Sequence, residues 1–303
     1  MNQKVVVGTR GSQLALVQTG LVVAQLQQAS DLEVVTRILS TEGDRKQDLS
    51  LRRTTGQGIF VREIERALLQ GEIDFAVHSL KDLPIEETPG LEMVAFLERE
   101  DPREVFLSAR YDNFKELPAG ATIGTSSMRR LVQLQRIKPN CKFLEIRGNI
   151  DTRVRKLEEG KYDAIILAMA GLKRLNITKY LQQIFTAAEC LPAVGQGVIA
   201  IQSRQRWANP KILAVLQKIN DQPTEIAVAA ERSFLKRLGG GCRLPVGALA
   251  TVSGDALWLF GMVSNTSGEQ LIYHQMAGLC VNPRTLGNKL ADWFLEKGII
   301  DWC

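Results

Sequence analysis

Val5-Val6-Val7-Gly8-Thr9-Arg10-Gly11-Ser12 joins an apolar, β-branched run to a Gly-Thr break and then to a serine that heads a helical stretch. β-Branched residues suit strands and serine suits a helix N-cap, so the stretch predicts a strand over 5–9 feeding a helix over 12–28. Ile123-Gly124-Thr125-Ser126-Ser127 repeats the device, with a helix over 127–137 behind it. A helix N-terminus offers unpaired N–H groups and the positive end of its dipole to an anion.

Working outward, strands at 34–39, 73–77 and 91–96 and a helix at 60–69 complete a first α/β series. Strands at 105–108, 122–124, 142–146 and 164–167, with helices at 127–137, 150–159 and 170–175, form a second. A short apolar strand at 198–202 comes too late for the second series and is expected to return to the first, with 98–101 and 193–197 as paired hinges. The fold class is therefore α/β, with two lobes whose serine-headed helices face a common cleft. From about residue 222 the pattern changes to a helix over 223–238, strands at 246–252, 257–263 and 270–275, and a closing helix over 283–297. This predicts a small C-terminal α+β domain. The expected domains are 1–97 with 198–219, then 102–192, then 220–303.

The 303 residues are 45% apolar and 23% charged, the balance of a globular protein without long disorder. No apolar run nears the ~18 residues that cross a bilayer, and the N-terminus lacks a signal-peptide core. Five cysteines without a CxxC pair fit a reducing compartment, so the expectation is a protein of the cytoplasm, or of a plastid stroma after processing, without a membrane partner. No His/Cys/carboxylate spacing matches a metal site, and none is expected. Charge is uneven: 126–174 holds twelve Lys/Arg against five acids, a local +7 in a chain of net +5. Such a segment is a footprint for an anionic partner, a nucleic acid or a polycarboxylate. Arginines at strand-to-helix junctions (Arg10, Arg129, Arg130, Arg147, Arg153) favour bidentate grip on carboxylate or phosphate.

Two further stretches carry chemistry. His78-Ser79-Leu80-Lys81-Asp82-Leu83-Pro84 follows an apolar strand, which puts Lys81 and Asp82 at the carboxyl end of a sheet, where open α/β folds bind ligands. A Cys–His hydrolase built on Cys242 and His78 leaves the arginines unexplained. Gly239-Gly240-Gly241-Cys242 clears side chains from around a thiol, which suits either a bulky ligand approaching that sulfur or a glycine-rich turn after a helix whose cysteine is buried as a small apolar residue.

In order along the chain, Gly-Thr-Arg-Gly-Ser (8–12), His-Ser-Leu-Lys-Asp-Leu-Pro (78–84), Gly-Thr-Ser-Ser-Met-Arg-Arg (124–130), Arg-Gly-Asn-Ile-Asp-Thr-Arg (147–153), Ala-Gly-Leu-Lys-Arg (170–174), Pro-Ala-Val-Gly-Gln-Gly (192–197) and Gly-Gly-Cys (240–242) resemble the porphobilinogen deaminase, or hydroxymethylbilane synthase, family. The resemblance implies two lobes like those of solute-binding proteins plus a small α+β domain. It implies a transferase that joins four porphobilinogen molecules into the linear tetrapyrrole hydroxymethylbilane, releasing ammonia each time. The chain grows on a dipyrromethane cofactor attached by a thioether, and Cys242 matches its cysteine. Asp82 matches the catalytic carboxylate. Lys81, Ser126, Ser127, Arg129, Arg130, Thr152, Arg153 and Arg174 match cofactor-binding positions; Arg10, Ser12, Gln18, Phe60, Arg147 and Gln196 match the substrate side. A monomer is expected, and the resemblance accounts for the basic segment without nucleic acid. Gln57 and Arg62 stand where many relatives carry lysines. A solute-binding protein of a transport system shares the lobes but has no use for the third domain, and a nucleic-acid module lacks a basic helix with interleaved aromatics.

Overall fold

The computed structural model describes residues 4–40, 61–205, 209–239 and 244–299. In chain order the strands are β1 (Lys4–Arg10), β2 (Glu33–Leu39), β3 (Phe75–Ser79), β4 (Leu91–Phe96), β5 (Glu104–Leu107), β6 (Thr122–Gly124), β7 (Lys142–Leu144), β8 (Ala164–Ala168), β9 (Leu181–Ile184), β10 (Ile199–Arg204), β11 (Val246–Ser253), β12 (Ala256–Ser264) and β13 (Leu271–Leu279). Among the described residues they make three sheets, ordered β2-β1-β3-β10-β4, β7-β6-β8-β5-β9 and β11-β12-β13.

The chain divides into two compact units, 1–100 with 198–225, and 101–197 with 226–303. The first contains the sheet around β1. Its core is Val5, Val7, Val22, Leu26, Phe75, Val77, Ile199 and Ile201, all essentially out of water. β10 returns from beyond the second series, as its late apolar run predicts, and lies antiparallel between β3 and β4, which the sequence reading did not specify. The helix Pro210–Lys218, capped by the Asn209 side chain on Ile212 N, packs onto the same core.

The second unit holds the other two sheets. In the larger, β6 runs parallel to β7 and β8, while β5 lies antiparallel between β8 and β9. Phe114 packs edge-on against both Phe106 and Phe185 beneath it. The three-stranded sheet is a meander whose inner face (Ala248, Ala250, Leu257, Leu259) packs on Phe234 of the helix Gln222–Arg237 and on Leu290 and Phe294 of the helix Pro283–Glu296. Its first strand bonds back to the second lobe through Ala248 N to Pro192 O, 3.1 Å.

The two large sheets follow one plan. Gly8 of β1 and Gly124 of β6 hold matching places, and each is glycine for the same reason. A Cβ at Gly8 lies 2.2 Å from Ile73 Cδ1, and one at Gly124 lies 3.0 Å from Tyr162 and 3.1 Å from Ile165. Asp74, just before β3, exchanges bonds with Val6: Asp74 N donates to Val6 O and Asp74 Oδ2 accepts from Val6 N, both at 2.8 Å. Asp163, just before β8, does the same with Thr122 at 3.0 and 2.8 Å.

Candidate active site

In the first unit, β1 delivers Arg10 and then Ser12, whose hydroxyl accepts from Ala15 N at 3.3 Å and starts the helix Gln13–Ala29. One turn on, Gln18 is buried and shares a hydrogen bond with Ser79 Oγ, 2.8 Å, at the end of β3. There the chain makes a single 3₁₀ turn, Leu80–Asp82. Leu80 and Leu83 are buried on either side of it, contributing roughly 1.5–3 kcal/mol each, and Leu80 N is fixed to Val198 O at 3.0 Å. The two leucines hold the turn down, so Lys81 and Asp82 face solvent.

His78 is the fourth residue of β3. It is buried, and desolvation, offset in part by Gln202 and reinforced by the Arg10 charge, lowers its pKa to about 4. The ring is neutral near pH 7.

In the second unit, Ser127 Oγ caps the helix Met128–Ile137 by accepting from Arg130 N at 3.4 Å, while Ser126 donates to Ile146 O. That bond ties the helix start to the 145–149 loop. Arg147 holds Glu145 at 2.8 Å. Gly148 has φ +106° and a Cβ there lies 2.7 Å from Thr152, so only glycine makes this corner. Thr152 packs into the corner, and Arg153 Nε donates to Gly148 O at 2.7 Å. Arg174 donates to Gly197 O at 2.6 Å.

Arg129 and Arg130 are buried and converge on Glu104, which is fully out of water at the start of β5. The contacts are Arg129 Nη2 to Oε1, 2.5 Å, and Arg130 Nη2 to Oε2, 2.7 Å. Gln196 Nε2 joins them at 3.0 Å and also donates to Pro102 O. Arg129 reaches Leu191 O and Arg130 reaches Ile166 O. Breaking such a buried set by deleting one partner typically costs about 3–5 kcal/mol.

Three of the sequence-derived site residues thus meet on a carboxylate that the sequence reading did not single out. Glu231 was missed as well. It is fully buried, and its carboxylate accepts from Gly195 N (2.8 Å) and Ala250 N (2.7 Å), clamping the 193–197 segment to β11. A signal existed: Glu231 shares the apolar stripe of Ala227, Phe234 and Leu238. For Glu104 the only hint is an acid heading the apolar run Val105-Phe106-Leu107. Phe60, Gln57 and Cys242 lie outside the described residues.

Of the described cysteines, Cys141 and Cys190 are buried, and burial raises both thiols, Cys190 to about 12. Thiolate chemistry is disfavoured at both. Among the described residues no group of three His, Cys, Asp or Glu is placed to hold a metal ion, and no helix is long and apolar enough to cross a membrane.

The family model of the porphobilinogen deaminase dipyromethane cofactor binding domain matches residues 5–211, and that of the porphobilinogen deaminase C-terminal domain matches 225–296. The chain belongs to the porphobilinogen deaminase family. It is 44% identical over 299 residues to the porphobilinogen deaminase of Roseiflexus sp. (strain RS-1), covering 98% of each chain. It is 46% identical over 297 residues to that of Brevibacillus brevis, covering 97% of this chain and 95% of the relative. Among solved structures it is similar to the methionine-binding protein MetQ (TM-score 0.47, 12% identity, 71% of this chain and 89% of that one). It is also similar to a periplasmic substrate-binding protein of an ABC transporter from Coxiella burnetii (TM-score 0.46, 15% identity, 75% and 96%).

The donor set fits the family's dipyrromethane, a group bearing carboxylates. The capped start of Met128–Ile137 offers N–H groups, Arg130 Nε is buried without a hydrogen-bond partner, and Arg147, Arg153 and Lys156 gather around the 145–149 loop.

Proposed function

We propose that this member of the porphobilinogen deaminase family condenses four porphobilinogen molecules into hydroxymethylbilane, with Asp82 as the reacting carboxylate and Cys242 as the covalent anchor. The observation that carries the Asp82 assignment is the leucine-anchored turn, which presents a carboxylate to solvent from a rigid strand end. When bound, the dipyrromethane would supply the terminal pyrrole to which the first porphobilinogen is joined, each later one being joined to the end of the growing chain.

Asp82 accepts hydrogen bonds from pyrrole N–H groups. As ammonia leaves, the pyrrole gains positive charge, and a fixed carboxylate stabilises that state more than the neutral ground state. Lys81 beside it takes a carboxylate of the primer. In the second lobe Ser126, Ser127, Arg129, Arg130, Thr152, Arg153 and Arg174 hold the primer's acetates and propionates. Arg10, Ser12, Gln18, Phe60, Arg147 and Gln196 serve the incoming substrate.

Arg129→Leu, Arg130→Leu and Arg153→Leu are expected to leave protein without cofactor. Arg10→Leu and Arg147→Leu are expected to leave loaded enzyme that turns over poorly. We infer further that the chain acts as a cytoplasmic monomer with three domains, 1–97 with 198–219, 102–192 and 220–303, and with no nucleic-acid or membrane partner.

Intact mass tests the reading directly. Protein made in a cell that supplies the cofactor is expected to be heavier than its sequence by two pyrrole units, and Cys242→Ser to appear at sequence mass. A parent protein at bare sequence mass refutes the covalent anchor.

A further inference from the structure

The two large sheets correspond residue by residue through their own hydrogen bonds. Asp74 and Asp163 each latch the central strand, and five residues later β3 ends at Ser79 and β8 at Ala168. The crossing strands keep the same register, with Ile199 opposite Ser79 and Glu104 opposite Ala168. The capping serines align the two helices, since Ser12 accepts from Ala15 N and Ser127 from Arg130 N. Arg129, Arg130 and Glu104 therefore occupy the places that Leu14, Ala15 and Ile199 hold in the first sheet.

One backbone plan is thus closed with uncharged residues in the first unit and with three ionised ones in the second. A buried ion cluster commonly adds no stability over apolar residues in its place. The plan does not need these charges. All three members change together, which marks a single device. Glu104 has the same sign as the primer's carboxylates and does not bind them. With one oxygen on each guanidinium, 2.5 and 2.7 Å away, it instead fixes both arginines at the helix start and compensates one of their two charges. Arg130 Nε stays buried without a hydrogen-bond partner.

We propose that Glu104 is the positioning residue of the carboxylate-binding arginines in the second lobe, and that loading of the primer depends on it. This rests on the reading that the second lobe holds the primer.

Three variants test it against a fourth protein as reference, each made in a cell that supplies the cofactor and examined by intact mass and thermal melting. Cys242→Ser serves as the unloaded reference, because bound cofactor itself stabilises. The triple variant Arg129→Leu/Arg130→Ala/Glu104→Ile copies the first sheet. It is expected to melt with the reference and to appear at bare sequence mass. Glu104→Gln keeps the shape and loses the charge; it leaves two buried guanidiniums without their carboxylate, so it is expected to melt below the reference while the triple variant does not, and its loaded fraction is expected to fall at least tenfold. Glu104→Asp keeps the charge and is expected to load better than Glu104→Gln. A Glu104→Gln protein loaded like the parent overturns the proposal. So does a Glu104→Gln protein that melts well below the reference together with a triple variant that does not fold, because the cluster is then structural. A parent at bare sequence mass defeats the primer reading itself and takes this inference with it, and is distinguished by that mass.

Discussion

The sheet around β1 and the sheet around β6 are built alike, with parallel strands completed by an antiparallel strand that belongs elsewhere in sequence order. Each departs from the shared plan at a different point. Eight residues after its latching aspartate the first sheet has Asp82, and the second has Gly171, buried in the helix Met169–Arg174. Conversely, the second sheet has Arg129, Arg130 and Glu104 where the first has Leu14, Ala15 and Ile199. One plan thus carries a different charged set in each lobe. The proposed chemistry uses both: an exposed anion on one lobe, cations around a capped helix on the other.

The largest effect is expected at Asp82. Asp82→Asn keeps size and removes charge, and turnover of porphobilinogen is expected to fall at least about a hundredfold, as when a preorganised electrostatic partner is lost. Asp82→Glu is expected to retain measurable activity. If the Asn protein matches the parent, Asp82 is only a turn former and the contrast with Gly171 has no catalytic meaning.

The two crossing segments are also unequal. Arg99 N, in the first, is held by the Thr224 hydroxyl at 3.1 Å. Gly195, in the second, is held by the buried Glu231 carboxylate, which also takes Ala250 N. Glu231→Ala is expected to lower stability by about 3 kcal/mol or more, and Thr224→Val by about 1 kcal/mol, in urea unfolding. Equal losses break this contrast. The sequence reading expects 98–101 and 193–197 as paired hinges; what it could not show is the bond from Gly195 to a side chain 36 residues away.

Most of the architecture was legible because strand ends carried local chemistry: Gly-Thr breaks, serine caps, an acid-bearing turn before proline. β9 was not, since Leu181-Gln182-Gln183-Ile184 has no strand signature and owes its state to pairing with β5. The Pro210–Lys218 helix was missed despite its Asn209-Pro210 start. At the site, residue types and spacing pointed to arginine and aspartate. What stayed hidden was where the arginines point, because Glu104 meets them only through the register of β5 with β8.

A third contrast is His78, which sits where the second sheet has Leu167, since Ala200 faces His78 and Val105 faces Leu167. Burial lowers the folded-state pKa from 6.5 to about 4, so the folded protein binds the proton less readily than the unfolded chain. Stability from this residue is full above about pH 6.5 and is lost as pH falls towards 4, about 3 kcal/mol in all. His78→Leu, copying the other sheet, is expected to remove that part of the acid sensitivity in urea unfolding at pH 7 and pH 4.5. An unchanged pH slope shows that His78 is already protonated or solvated.

The smallest effect separates the two latches. Asp74 Oδ2 takes Val6 N at 2.8 Å; Asp163 Oδ2 takes Thr122 N and the Thr122 hydroxyl, both at 2.8 Å. The Thr122 amide is the main reason the Asp163 carboxyl titrates below its ordinary value, with the hydroxyl and Arg110 adding to it. Asp163→Ala is therefore expected to weaken its sheet more than Asp74→Ala weakens the other, by about 1 kcal/mol for the additional bond, read as hydrogen-exchange protection of the β8 and β3 amides. Because the Asp163 pKa is depressed, its contribution stands above the ordinary carboxylate value and disappears as pH falls through the folded one. The gap between the two variants should then narrow in acid. Equal losses at neutral pH mean that the hydroxyl adds nothing, and that the latches, unlike the charged residues built around them, are interchangeable.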